Sequence, residues 1–159
     1  MNPPALIQDA IAVLCTRFLS GGYGLAPIID LGALVANADG TVDEKELEML
    51  RYLFDAALGS RLGKEALAHL VRSSIQVILE AGLEPRARFL ADILVDCDAV
   101  DEGLTVALSV AFASEGLSKP EQDVIDSIAR AAHLPRAKLQ TLTANVERSM
   151  AVRSLEAAS

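Results

Sequence analysis

The chain is 159 residues long and carries a formal net charge of −8, from 14 basic and 22 acidic residues. That length fits one domain with its own core, and the acidic balance excludes a generic electrostatic grip on nucleic-acid phosphate or an anionic membrane, since both need clustered Lys and Arg. Hydrophobic residues make up 52% and aromatics 4%, with no Trp and ordinary Gly and Pro counts, so the core must be aliphatic and the chain is neither collagen-like nor disordered.

Apolar residues recur at spacings of three and four while alternating patterns are scarce, so the chain reads as all-α. The spacing predicts a first helix over about Ala5–Leu19, preceded by Pro3 and Pro4, and a turn at Ser20–Gly24. A helix over about Pro27–Ala38 is apolar nearly all round, which marks an enclosed element. Asp39-Gly40-Thr41-Val42 breaks it, and Asp43 starts a helix with Leu47, Leu50, Leu53, Phe54, Ala57 and Leu58 inward. Leu67, Leu70, Val71, Ile75 and Ile78 form the next stripe, closed by Gly82. Pro85 opens a helix that turns Leu90, Ile93, Leu94 and Cys97 inward.

The second half repeats this plan. Asp101 opens an apolar helix, Leu104–Ala113, followed by an acidic break at Ser114-Glu115-Gly116-Leu117. Ser118 then starts an amphipathic helix with Val124, Ile125, Ile128 and Ala132 inward. Pro135 opens the last one, with Leu139, Leu142, Val146 and Met150 on one face. The shared order of buried helix, acidic loop and capped helix points to a degenerate duplication, with halves at roughly 25–59 and 101–134, inside a single domain spanning 1–159.

Uncharged runs do not imply a membrane span. Phe18–Ala38 is interrupted by Gly21, Gly22, Gly24 and Pro27, and Gly103–Ser114 is too short to cross a bilayer. The amino terminus lacks the basic region of a signal peptide. Cys15 and Cys97 are far apart with no CxxC spacing, so they read as reduced thiols of a cytoplasmic protein.

The sharpest local pattern is Asn37-Ala38-Asp39-Gly40-Thr41-Val42-Asp43-Glu44-Lys45-Glu46. A hard cation such as Ca²⁺ wants several oxygens converging from a tightly turning backbone. Gly40 permits the turn, and Asn37, Asp39, Asp43 and Glu46 offer oxygens. The spacing overlays the later part of an EF-hand loop, but the opening acid of such a loop would fall on Val35, so this is not an EF-hand. Helix capping accounts for much of the same string: Asp43 with Glu46, and Ser118 with Glu121, have the spacing of an N-cap paired with an acid at N3. The two readings are compatible, because a cap can leave carboxylate oxygens free.

A second feature is electrostatic. Asp92, Asp96, Asp98, Asp101, Glu102 and Glu115 lie between Phe89 and Ser118, a stretch without Lys or Arg, whereas residues 127–159 carry five basic and two acidic residues. The acidic stretch is either a solvated face or a docking face for a basic partner. His69 and His133 are isolated, no hydrolase, P-loop or dinucleotide fingerprint is present, and no nucleophile has an adjacent base. Nothing in the pattern asks for an enzyme.

The string Ala36–Glu46 resembles the tellurite-resistance TerB family, in which a helix ends in Ala-Asp-Gly, an aliphatic residue stands two positions on, and a Glu opens the next helix. Asp39, Gly40, Val42 and Glu46 match that pattern, and a related copy lies at Ala113–Glu121. There Ser114-Glu115 stands where Asp-Gly is expected. The resemblance implies an all-helical bundle of about seven to eight helices, acidic loops that bind divalent cations, and a role in chemical-stress response, including tellurite resistance, within membrane-associated assemblies. The module also resembles the amino-terminal part of a membrane-anchored J-domain co-chaperone, but the His-Pro-Asp signature and the spanning helix are absent.

The sequence therefore yields the expectation of a non-enzymatic, cytoplasmic TerB-like module with a protein partner and no nucleic-acid partner. It is expected to bind Ca²⁺ or Mg²⁺ weakly, roughly 10⁻⁴ to 10⁻³ M for Ca²⁺, through Asp39, Asp43 and Glu46, with Glu115 and Glu121 as a second, poorer site. The alternative is an acidic helical scaffold that docks a basic partner without metal.

Overall fold

The computed structural model describes residues 3–114 and 116–158, with 153–158 as backbone alone. Among these residues there are eight helices and no strand: α1 (Ala5–Ser20), α2 (Ala26–Ala36), α3 (Glu44–Leu58), α4 (Lys64–Ala81), α5 (Leu83–Asp96), α6 (Val100–Ala111), α7 (Lys119–Ala131) and α8 (Arg136–Ala158). The all-α bundle expected from the apolar spacing is what the chain forms.

Two central helices organise the rest. α2 is buried from Pro27 to Ala36 except at half-buried Asp30, and α6 is buried from Gly103 to Ala111. Helices this apolar all round must be enclosed on every side. They pack on each other, α3 and α4 cover α2, α1 and α8 cover α6, and α5 lies along α7. One continuous aliphatic core runs through all eight, with Phe18 and Phe54 its largest fully buried side chains. The close approach of α2 to α3 depends on Gly32, where a Cβ would sit 2.8 Å from Leu50 Cδ2 and 2.9 Å from Leu53 Cδ2.

Asp30 on α2 is tied to Arg86 on α5 at 2.8 Å, and the Arg86 guanidinium lies 4.9 Å over the Phe89 ring. Burial pushes the Asp30 carboxyl up, while Arg86 and Ser74 pull it down without fully offsetting that push.

Several boundaries differ from those read off the apolar pattern. α2 stops at Ala36 and α6 at Ala111, two residues earlier than expected in each case, because the chain turns off at Asn37 and Phe112 while its apolar character continues. α5 begins at Leu83, ahead of Pro85, which is tolerated in a first turn whose amides have no intrahelical acceptor. Leu58 is 46% exposed instead of inward, since the left-handed Gly59 (φ 70°) ends α3 directly after it. Leu47, Leu70, Ile75 and Leu142 are half-buried at the core margin.

Candidate metal centre

The site is built where α2 passes into α3 and α6 passes into α7. After α2 the backbone turns at Gly40 with φ +89°, a left-handed conformation that suits glycine. Asp39 holds the turn: its Oδ1 accepts from the Thr41 amide at 3.1 Å and from the Thr41 hydroxyl at 3.3 Å.

Asp43 then caps α3 in a complete capping box. Its Oδ1 accepts from the Glu46 amide at 2.8 Å, and Glu46 Oε2 accepts from the Asp43 amide at 3.1 Å. The same device opens α7, where Ser118 Oγ accepts from the Glu121 amide at 3.3 Å and Glu121 Oε1 accepts from the Ser118 amide at 3.0 Å. Each glutamate thus spends one oxygen on its cap. The helices turn both glutamates into the core margin, where Glu46 is 4% and Glu121 is 2% exposed.

The two loops meet. Carboxylate oxygens of Asp39, Glu46 and Glu121 all lie within 4.8 Å of one another. Glu121 Oε2 is buried and has no hydrogen-bond partner among the described residues. An orphaned buried carboxylate oxygen costs free energy unless something fills its place. Burial is the main influence on Glu46 and, with the nearby charges of Asp43, Glu121 and Asp39, pushes its carboxyl up to about 7, against the capping hydrogen bond from the Asp43 amide. Three acids converge here with two of them withdrawn from water, which favours a proton or a cation between them.

Asp43, expected as a ligand, stands differently. Its second oxygen accepts from the Ser114 hydroxyl, a bond between the two loops. Burial works to raise its carboxyl, but the hydrogen bonds from the Glu46 amide and Ser114 outweigh that and hold it below the usual range. Both Asp43 oxygens are committed to the scaffold, and it lies outside the three-acid cluster. Glu115 lies outside the described residues.

The two acidic loops thus contribute to one cluster instead of two half-sites, and Glu121 joins Asp39 and Glu46. Ser114 was not singled out from the pattern as a partner of Asp43. Its only sequence signal is that it occupies the position equivalent to Asp39 in the second half.

The donor set fits a hard divalent ion. Ca²⁺ takes oxygen ligands at about 2.3–2.6 Å, so two ligand oxygens on opposite sides of it stand roughly 4.6–5.2 Å apart. Carboxylate oxygens that all lie within 4.8 Å of one another are close enough to share such an ion. Mg²⁺, at about 2.0–2.1 Å, meets the same bound and usually keeps several waters of its own. With no His or Cys in the cluster, softer transition metals are disfavoured.

Elsewhere the acidic stretch is partly spoken for by residues distant in sequence. Asp96 accepts from the Tyr23 hydroxyl at 2.5 Å, Asp98 pairs with Arg17 at 3.3 Å, and Asp101 pairs with Lys138 at 3.1 Å. Cys97 is buried and Cys15 half-buried, and burial pushes both thiols up, as expected for packed rather than reactive groups. Among the described residues no helix is long and apolar enough to cross a membrane.

The family model for the tellurite resistance protein TerB matches residues 25–144. The match runs from α2 into α8 and takes in both capping boxes. No curated protein and no solved structure matches the chain. The chain belongs to the TerB family.

Proposed function

We propose that this TerB-family chain is a non-enzymatic module of the chemical-stress response, including tellurite resistance, that binds one divalent cation between its two acidic loops. Asp39, Glu46 and Glu121 supply the carboxylate ligands for Ca²⁺ or Mg²⁺. Asp43 and Ser114 hold the loops at the right separation without contacting the ion. Affinity is expected at the weak end, roughly 10⁻⁴ to 10⁻³ M, because only three acids converge and one of them is exposed.

The observation that carries this reading is the buried Glu121 Oε2, without a hydrogen-bond partner among the described residues and set against two further carboxylates. Capping alone explains one oxygen of each glutamate but not why both buried carboxylates are gathered with Asp39. A cation there would join α2–α3 to α6–α7, so its occupancy would be felt as rigidity of the whole bundle. The module would pass that state to a protein partner, in a cytoplasmic setting and in contact with membrane-associated assemblies.

The test is thermal unfolding of chelator-treated protein titrated with Ca²⁺ and, separately, Mg²⁺, beside Glu121→Gln. Gln retains the capping acceptor at N3, so the variant removes charge while keeping the helix start. At ten times the dissociation constant, native-state binding adds about 1.4 kcal/mol, a rise of roughly 3–6 °C for a domain of this size. A saturable rise that Glu121→Gln loses supports the site. A flat response to several millimolar in the parent protein overturns it.

A further inference from the structure

We infer that the groove between α1 and α6 is a docking site for a basic amphipathic helix of a protein partner. Leu6, Ala10 and Val13 line it from α1, at helical spacing along one stripe. Leu6 is 40% exposed although it is a large aliphatic side chain. Thr105 lines it from α6, and its hydroxyl proton is committed to the Asp101 carbonyl at 2.8 Å.

The rim is acidic. Asp9, Asp101 and Glu102 border the groove, and no Lys or Arg lines it. Among the described residues, Lys138 is engaged with Asp101 and Arg17 with Asp98. Asp9 and Glu102 make no ion pair among the described residues. An apolar floor between unpaired acids is the complement of a helix with aliphatic anchors flanked by Lys or Arg. The groove holds about 250 Å³ and opens to solvent. That is below the roughly 300–1,000 Å³ of clefts that enclose small ligands, and it suits one or two anchoring side chains. None of these residues belongs to the carboxylate cluster, so the inference stands apart from the cation reading.

The test is fluorescence anisotropy at physiological ionic strength with a labelled helical peptide carrying leucine at every third or fourth position and lysine elsewhere. A lysine peptide of the same charge with serine for leucine is the control. The full chain should bind the leucine peptide at least tenfold more tightly than the control. Leu6→Ser and the double variant Asp9→Lys/Glu102→Lys should each weaken that binding about tenfold or more. Glu65→Lys/Asp92→Lys makes the same change in net charge on other exposed helix positions and should leave it within about twofold.

Unchanged melting temperatures of the variants separate lost docking from lost folding. Equal weakening by the two charge variants, or no effect of Leu6→Ser, overturns the inference by reducing binding to general acidity. A concentration-dependent dimer abolished by Leu6→Ser also overturns it, because a second copy would then be the occupant.

Discussion

Removing the charge of Glu46 should stabilise the cation-free protein at neutral and alkaline pH. Glu46 is held almost out of water, with Glu121 and Asp39 close by, and its carboxyl sits at about 7 instead of 4.5. A folded-state value above the unfolded one means that the native protein binds the extra proton between those limits. Stability is therefore highest below pH 4.5 as far as this group is concerned, and it is lost as pH rises through 7. The difference from 4.5 to 7 converts to about 3 kcal/mol lost by pH 8. Glu46→Gln keeps the acceptor for the Asp43 amide, places a neutral amide beside the orphaned Glu121 oxygen, and escapes that loss. In chelator at pH 8 the variant should melt roughly 6–12 °C above the parent, and the gap should narrow to about 2–3 °C at pH 5. The assay is differential scanning calorimetry of both proteins from pH 5 to 8, with and without millimolar Ca²⁺. Added Ca²⁺ should raise the parent at pH 8 by roughly 3–6 °C, recovering part of the gap, and leave Glu46→Gln unmoved. A Glu46→Gln protein that melts below the parent at pH 8, or a parent whose melting temperature is flat across this range in chelator, would refute the reasoning.

Ser114→Ala removes the hydroxyl that ties the second loop to Asp43; chemical denaturation should show a loss of about 1 kcal/mol, and the Ca²⁺-induced rise in melting temperature should need higher concentrations. Gly103→Ala would put a Cβ against the Leu94 side chain, which is 1% exposed, so overpacking should outweigh the gain in helix propensity and cost a net ~1–2 kcal/mol by urea titration. Arg86→Leu leaves half-buried Asp30 without its ion pair, which should cost about 2–3 kcal/mol at pH 7. Protonating Asp30 should recover part of that, so the deficit measured by urea titration should shrink at pH 5.

Much of the site was legible because capping and turning are local. Asp43 with Glu46 and Ser118 with Glu121 lie three residues apart, and that spacing alone dictates which amide each side chain can reach. Asp39-Gly40 announced its turn for the same reason. What could not be read was the use of the remaining oxygens. Asp43 has the right chemistry for a ligand, yet its second oxygen goes to a hydroxyl far along the chain. Whether the loops formed one site or two depended on the distance between α3 and α7, which no spacing within either half encodes.

By itself the sequence determined the helical class, the two enclosed helices, the aliphatic core and both capping boxes, because periodicity and short-range hydrogen bonding act within a few residues. Only the tertiary structure decided that Glu46 and Glu121 are buried together with Asp39 beside them, that Asp43 is a brace, and that α1 and α6 leave an acid-rimmed apolar groove. Those outcomes follow from how α2 and α6 pack on each other and carry their following loops into contact. A carboxylate's ionisation and its partners are set by what surrounds it in space.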